Sequence, residues 1–326
     1  MDFRTTFPII ASPFKVNYDT PVMLTGSCFA NEIGDKMAEG KMKVMINPTG
    51  TVYNPVSIRN SIRLAADNKI TGADELYFFR EKYMSFLHYT DFTSEHQSET
   101  LNKINNSTLK AHYFLQSASF LVVTFGTARV YRLKESGEIV SNCHKLPQDL
   151  FTSELLTVEE VVTVWTELLD LLRKFNNKLR VIFTVSPVRH IKDGAHGNQV
   201  SKSVLFLAIE ELLAQNNTSY FPAYELLMDD LRDYRYYADD MLHPSGPAID
   251  YIWEAFTGTF FEKQTLDLWK EISKINLAMK HILSAKGGSS TKQFASAMLA
   301  RISSVNTRYP KIDLSAEESY FRSLQV

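Results

Sequence analysis

Two places in this sequence carry side chains whose types and spacing suit nucleophilic chemistry. One is Ser27-Cys28, a hydroxyl beside a thiol; the other is Asp240 and His243, a carboxylate three residues ahead of an imidazole. A thiol or hydroxyl becomes a nucleophile when a neighbouring group takes its proton or stabilises the anion left behind. Gly26 precedes the pair at the point where the chain turns sharply, and a residue without Cβ makes such a turn cheaply. The first N–H groups of a helix are unpaired and partly positive, so a thiol at Cys28 has its thiolate stabilised there. Ser27 is the alternative nucleophile, or the cap of the helix that Cys28 begins. The plainer reading of Cys28 is a small buried residue packing the junction.

At the other place, the Asp240 carboxylate can accept a hydrogen bond from one imidazole nitrogen of His243. The other nitrogen is then left to take a proton from a nucleophile. Cys143-His144, with His190 and His196, invites a metal reading. Adjacent Cys and His point their side chains apart, however, and the dense spacings of zinc sites are missing, so no metal and no cofactor is expected. His144 is instead expected to line a cleft. His88, His96, His112 and His281 read as ordinary surface or satisfied interior histidines.

The elements that must position these groups follow from periodicity. Residues 20–25 form a short apolar run of strand length. Phe29, Ile33, Met37 and Ala38 then recur at helical spacing, and residues 43–47 make a second strand. A stretch of turn residues, 48–55, carries Gly50 and Asn54, and Pro55 opens a helix to about Asp67. Residues 68–105 break the alternation as an aromatic-rich, hairpin-like insertion, which either lines a substrate cleft or forms a small apolar cluster under a long loop. A helix over 106–118 leads to a strand at 119–125, buried on both faces by its continuous apolar run, which ends at Gly126-Thr127. A hairpin spans 130–142, and Thr157 to Glu160 has the form of a capping box for the next helix. A strand at 179–185 stops at Ser186-Pro187, followed by a loop at 190–198, a helix at 199–215 and a strand near 220–224. The loop at 239–247 leads to an amphipathic helix through Trp253 and Phe256.

Strands alternating with helices predict a three-layer α/β/α sandwich with a mostly parallel sheet over residues 1–262. Residues 263–326 are expected to form a helical C-terminal extension, with Gly287-Gly-Ser-Ser-Thr as a flexible link. In parallel sheets, sites form at the carboxyl ends of strands. Gly26-Ser27-Cys28, Gly126-Thr127, Ser186 and the 239–244 loop all fall near such ends.

Composition bounds the function classes. The chain has 326 residues, 44% hydrophobic and 22% charged, as soluble globular proteins do. A formal net charge of −2 gives no electrostatic case for nucleic acid or an anionic membrane. Two cysteines make no disulfide framework, and the N-terminus has no apolar core like that of a signal peptide, so a cytoplasmic location is expected.

The stretch Leu24-Thr-Gly-Ser-Cys-Phe-Ala30 resembles the motif that names the GSCFA domain family, a group placed with the SGNH (GDSL-like) hydrolases. The resemblance implies an α/β/α fold with the nucleophile in an N-terminal Gly-Asp-Ser motif and an Asp-x-x-His pair near the end of the domain. Asp240-Met-Leu-His243-Pro244 looks like that second element. The sequence departs from the hydrolases in two ways. Ser27 stands in place of their Asp and Cys28 in place of their nucleophilic Ser, so the nucleophile becomes a thiol; aligning serine on serine makes it Ser27. Gly126-Thr-Ala-Arg129 resembles their Gly-x-Asn-Asp block but lacks its oxyanion-hole asparagine. Gly50 corresponds to the glycine whose N–H, together with that of Cys28, would hold the oxyanion, and Asn54 or Thr127 is the candidate replacement donor.

Two functions follow. One is an acyl-transfer enzyme, an esterase or thioesterase or an acyltransferase on a sugar or peptide-like substrate. The other is a non-catalytic protein on a degenerate scaffold, binding a glycan or peptide through the aromatic insertion. Neither calls for nucleic acid or a membrane as partner, and the oligomeric state is left open.

Overall fold

In the computed structural model, which describes residues 4–280 and 288–325, the chain begins with β1 (Val22–Gly26), α1 (Cys28–Glu39), β2 (Val44–Ile46) and α2 (Pro55–Ala66). The hairpin β3 (Tyr77–Phe79) and β4 (Lys82–Met84) and the long α3 (Gln97–Ser117) come next. After β5 (Phe120–Phe125) there are three short strands, β6 (Arg129–Leu133), β7 (Ile139–Val140) and β8 (Phe151–Leu155), and then α4 (Val158–Phe175). The sheet is completed by β9 (Arg180–Val185), α5 (Gly194–Leu212) and β10 (Thr218–Tyr220). A single turn α6 (Ala223–Glu225) and α7 (Gly246–Phe260) precede three closing helices, α8 (Lys263–Lys280), α9 (Ser289–Arg308) and α10 (Ser315–Ser323). His281 and Gly287, the latter at the start of the expected link, lie outside the described residues.

Five strands make one wholly parallel sheet in the order β10-β9-β5-β1-β2, with Val22 opposite both Val44 and Phe120. Side chains alternate across a strand. Leu121, Val123, Phe125, Val181, Phe183 and Val185 therefore pack on one face, against α2 to α5. Val22, Leu24, Phe120, Val122 and Ile182 pack on the other, against α1 and α7. Both faces are covered, so the strands read as continuous apolar runs and the domain is a three-layer α/β/α sandwich. The ring of Trp165 meets those of Phe125 and Phe183 at 5.1 and 5.2 Å, and its Nε1 donates to the Pro55 carbonyl, tying α4 to the start of α2. From β1 the chain moves outward to β2 and then crosses back to β5, so the sheet's topological switch point lies between the carboxyl ends of β1 and β5. Ligands of such sheets bind in the crevice there.

Several boundaries differ from the periodicity. α3 starts at Gln97 rather than near 106, because its first turns are polar and only Thr100 and Ile104 are buried in them. α5 starts at Gly194 and takes up half of the expected 190–198 loop, with Asn198 already buried. β8 escapes the pattern because its middle residues are solvent-exposed, and it pairs with β6 to extend the expected hairpin to three strands. The strand expected near 220–224 ends at Tyr220, and Ala223 turns helical.

The last three helices carry their own core of Leu268, Ile272, Ile275, Ala295, Ile302, Val305 and Phe321. This unit docks on the end of α1. Trp269 Nε1 donates to the Lys36 carbonyl at 2.8 Å and Asn276 Nδ2 to that of Glu39 at 2.7 Å. Both are carbonyls of the last helical turn; that of Lys36 also accepts the Gly40 N–H at 3.2 Å.

Candidate active site

β1 ends on Gly26 at φ +135°, where a Cβ would sit 2.2 Å from the Thr124 carbonyl oxygen. No other residue type tolerates both that conformation and that approach. Two bonds fix the turn: Gly26 N–H donates to Asn47 Oδ1 at 2.8 Å, and Ser27 N–H to the Thr124 carbonyl at 3.2 Å. Ser27 occupies the N-cap of α1, but its hydroxyl caps nothing; it is 1% exposed and has no hydrogen-bond partner. Cys28 opens the helix with a half-buried thiol whose Sγ stands 3.7 Å from the Tyr53 hydroxyl, within reach for sulfur. The turn thus puts the hydroxyl inside and the thiol at the crevice.

The segment before α2 forms one wall. The Tyr53 carbonyl accepts from Gly126 N–H at 2.7 Å and from Thr127 N–H at 3.1 Å, pinning the segment over the end of β5. Burial raises the Tyr53 phenol's pKa, and the Cys28 sulfur beside it raises it further. Apart from the Cys28 N–H, the donors expected for an oxyanion are engaged elsewhere in this structure. Gly50 N–H closes a turn onto the Asn47 carbonyl at 2.8 Å. Asn54 caps α2, accepting from Ser57 N–H at 2.8 Å and donating to Ser57 Oγ at 2.9 Å. Thr127 Oγ1 pairs with Ser201 Oγ at 2.9 Å. Turn residue types were legible in the sequence, but the partner of each amide is fixed by tertiary packing.

His144 is held by the insertion. Its Nε2 bonds the Ser85 carbonyl at 2.8 Å, its ring tilts against Phe86, and burial lowers its pKa. It sits beside a small core in which Tyr77, Phe79 and Phe86 of the aromatic insertion pack on Val140, Leu146 and Phe151. Of the two readings of the insertion, the small apolar cluster is the one these contacts describe. Cys143 packs there too, half-buried.

Asp240 and His243 are hydrogen-bonded. His243 Nδ1 meets Asp240 Oδ2 at 2.6 Å, while Asp240 Oδ1 accepts the N–H groups of Leu242 and His243, each at 2.9 Å. The backbone bond from His243, its side-chain bond and the Leu242 N–H together hold the Asp240 carboxyl down to about 2. The loop is closed by Ala238 N–H on the His243 carbonyl at 2.8 Å and by a bridge between Tyr237 and Pro244. The pair is about half exposed, at 46% for the imidazole and 48% for the carboxylate, so its free nitrogen is open to a substrate.

Three further residues complete the crevice. His190 follows β9 and turns its ring edge-on to Tyr53, centroids 5.8 Å apart. Burial pushes its imidazole down to about 4, and the charges of Lys202 and His243 add to this, so the ring is neutral at ordinary pH. Its Nε2 lies 3.3 Å from the point where a Cβ on Gly126 would sit, and Ser27 Cβ lies 3.3 Å from that same point. Gly126 therefore leaves the space in which Ser27, Tyr53 and His190 meet. Beneath it, Lys202 of α5 is buried and its Nζ donates to the carbonyls of Gly126 and Ser186, both at 2.7 Å, joining the ends of β5 and β9. Burial pushes this amine down to about 7, with Arg189 contributing. The sequence singles out neither Tyr53 nor Lys202, and His190 only as part of a metal reading that is set aside. Lys202 did leave a signal, since it shares the inner stripe of α5 with Leu205, Ile209 and Leu212. A lysine on an apolar stripe must find acceptors indoors.

Among the described residues, no three His, Cys, Asp or Glu side chains are grouped to hold a metal ion, and no helix is long and apolar enough to cross a membrane. Residues 21–256 match the family model of the GSCFA family. No curated protein matches the chain. Among solved structures, an acetyl xylan esterase from the rumen bacterium Butyrivibrio proteoclasticus is similar at 12% identity, with a TM-score of 0.37 over 77% of this chain. The match spans 64% of that esterase's chain.

Proposed function

The chain belongs to the GSCFA family, and from that premise we propose that it is an acyl-transfer enzyme of the SGNH-hydrolase kind. Cys28 is the nucleophile, His243 the general base and then acid, and Asp240 the residue that orients His243. The observation that carries this reading is the Asp240–His243 bond, 2.6 Å at Nδ1, which leaves Nε2 free to take a proton. In the first step that nitrogen takes the thiol proton as the sulfur bonds the carbonyl carbon of an ester or thioester, and the carbonyl electron pair moves onto oxygen. Collapse of the adduct breaks the bond to the leaving alcohol or thiol, which receives the proton from the imidazolium. Water, or a hydroxyl of a sugar or peptide-like acceptor, then gives its proton to His243 and attacks the thioester carbonyl; the C–S bond breaks and Cys28 sulfur regains the proton from the imidazolium. Asp240 holds the ring in the Nδ1–H tautomer and supports the cation formed between the two proton transfers.

A panel of short-chain nitrophenyl esters and acyl-CoA thioesters tests the assignment, read by intact mass for an acyl adduct and by peptide mapping for its position. An adduct lost in Cys28→Ala and kept in Ser27→Ala supports the thiol; the reverse moves the role to Ser27. The second reading is a glycan- or peptide-binding protein. It is favoured by the engaged state of the Gly50, Gly126 and Thr127 amides and the Asn54 side chain. Wild-type protein left unacylated by the whole panel points to that reading.

A further inference from the structure

An acyl-transfer site needs a hydrogen-bond donor aimed at the oxygen on which charge develops, and losing one such donor costs about 10²–10³ in rate. Here the Gly50 and Thr127 amides are bonded to carbonyls, and the asparagine of the related hydrolases is absent. Resting on the acyl-transfer reading above, we propose that the hydroxyl of Tyr53 is the catalytic residue that donates to the oxyanion, filling the place of the missing asparagine.

Three observations carry this. First, Tyr53 Oη is 3.7 Å from Cys28 Sγ. The oxyanion forms on the carbon that the sulfur bonds, so a group beside the sulfur is also beside that oxygen. A hydroxyl there can move from sulfur to oxygen as charge passes from one to the other. Second, the phenol has its proton to give. It is half-buried, its ring neighbour is the uncharged imidazole of His190, and the buried amine of Lys202 is committed to two carbonyls. Third, the ring is held in place. Its backbone carbonyl takes two hydrogen bonds from β5's end, at Gly126 and Thr127, and its edge rests on His190. A donor fixed before the reaction needs no reorganisation during it.

Tyr53→Phe removes the donor and keeps the ring, so the fold is retained; the melting temperature checks this. Two reactions of Cys28 are then timed in wild type and variant. Acylation by the best ester or thioester of the panel passes through an oxyanion. Alkylation by iodoacetamide displaces iodide at saturated carbon and forms none. The expected result is acylation about 10²–10³-fold slower in Tyr53→Phe with alkylation changed less than about twofold. The acylation ratio should also stay constant from pH 6 to 9, since burial keeps the phenol protonated throughout. Equal acylation in variant and wild type overturns the donor role alone. Loss of both reactions in parallel overturns it too, because it means that Tyr53 acts on the thiolate. Wild-type protein that alkylates at Cys28 but never acylates ends the acyl-transfer reading, and this inference with it.

Discussion

Lys202→Met isolates the buried amine beneath the crevice and makes a prediction with a sign as well as a size. In the folded protein Nζ reaches two carbonyl oxygens at 2.7 Å, and burial pushes the amine's pKa from 10.5 down to about 7. Between those two values the unfolded chain binds more protons than the folded one, so stability contributed by this group rises with pH and is lost as pH falls through about 7. At about 1.36 kcal/mol per pH unit, with the folded amine half protonated at the lower end, the gain from pH 7 to 9 is ~2 kcal/mol. The neutral amine still has two N–H donors for its two acceptors, so the bonds survive deprotonation. Methionine fills the volume but leaves two buried carbonyls unpaired, at about 1–3 kcal/mol each. At pH 7 part of that loss is offset by relief from burying a charge. Urea unfolding followed by circular dichroism at pH 6.5, 7, 8 and 9 measures the gap between wild type and variant, in which all other titrations cancel. The gap should favour wild type at pH 9 and exceed its pH 7 value by ~2 kcal/mol. A gap flat across that range, or a variant as stable as wild type at pH 9, refutes the reasoning.

Asp240→Asn should lower turnover on the order of 10⁴-fold by failing to hold the productive tautomer. Its melting temperature should be unchanged, since the pair stands at the surface; activity within twofold of wild type would dissolve the dyad as assigned. Because Asp240 is held down to about 2, it stays ionised at every pH used for assay, so the pH–rate profile of the wild type should show no limb from this carboxyl. Cys28 should label with iodoacetamide before Cys143. The first stands at a helix N-terminus on the crevice, whereas burial pushes the thiol of the second up. Peptide mass spectrometry at short times reads the order, and simultaneous or reversed labelling counts against an activated Cys28.

The amino-acid sequence by itself determined the layers and the position of the crevice. Continuous apolar runs at Phe120–Phe125 and Arg180–Val185 can only be strands covered on both faces, and helical spacing between them forces a parallel sheet. Gly26 before Ser27-Cys28 fixed the elbow, and Asp-x-x-His fixed the pair, because both are local: a turn of one residue and a contact across three. What only the tertiary structure decided is everything that depends on partners distant in the chain. Gly50, Asn54 and Thr127 have the chemistry of donors in any one-dimensional reading, yet each is spent on another residue once the loops pack. His144 sits beside Cys143 in sequence, yet its ring is held by Ser85 of the insertion, 59 residues away. Tyr53, in the turn segment before α2, becomes a neighbour of Cys28 and of His190, on the loop after β9, only because β1, β5 and β9 lie side by side. Hydrogen-bond partners and proton affinities are set by which groups share a volume, and that is decided by the packing of layers rather than by any short stretch of residues.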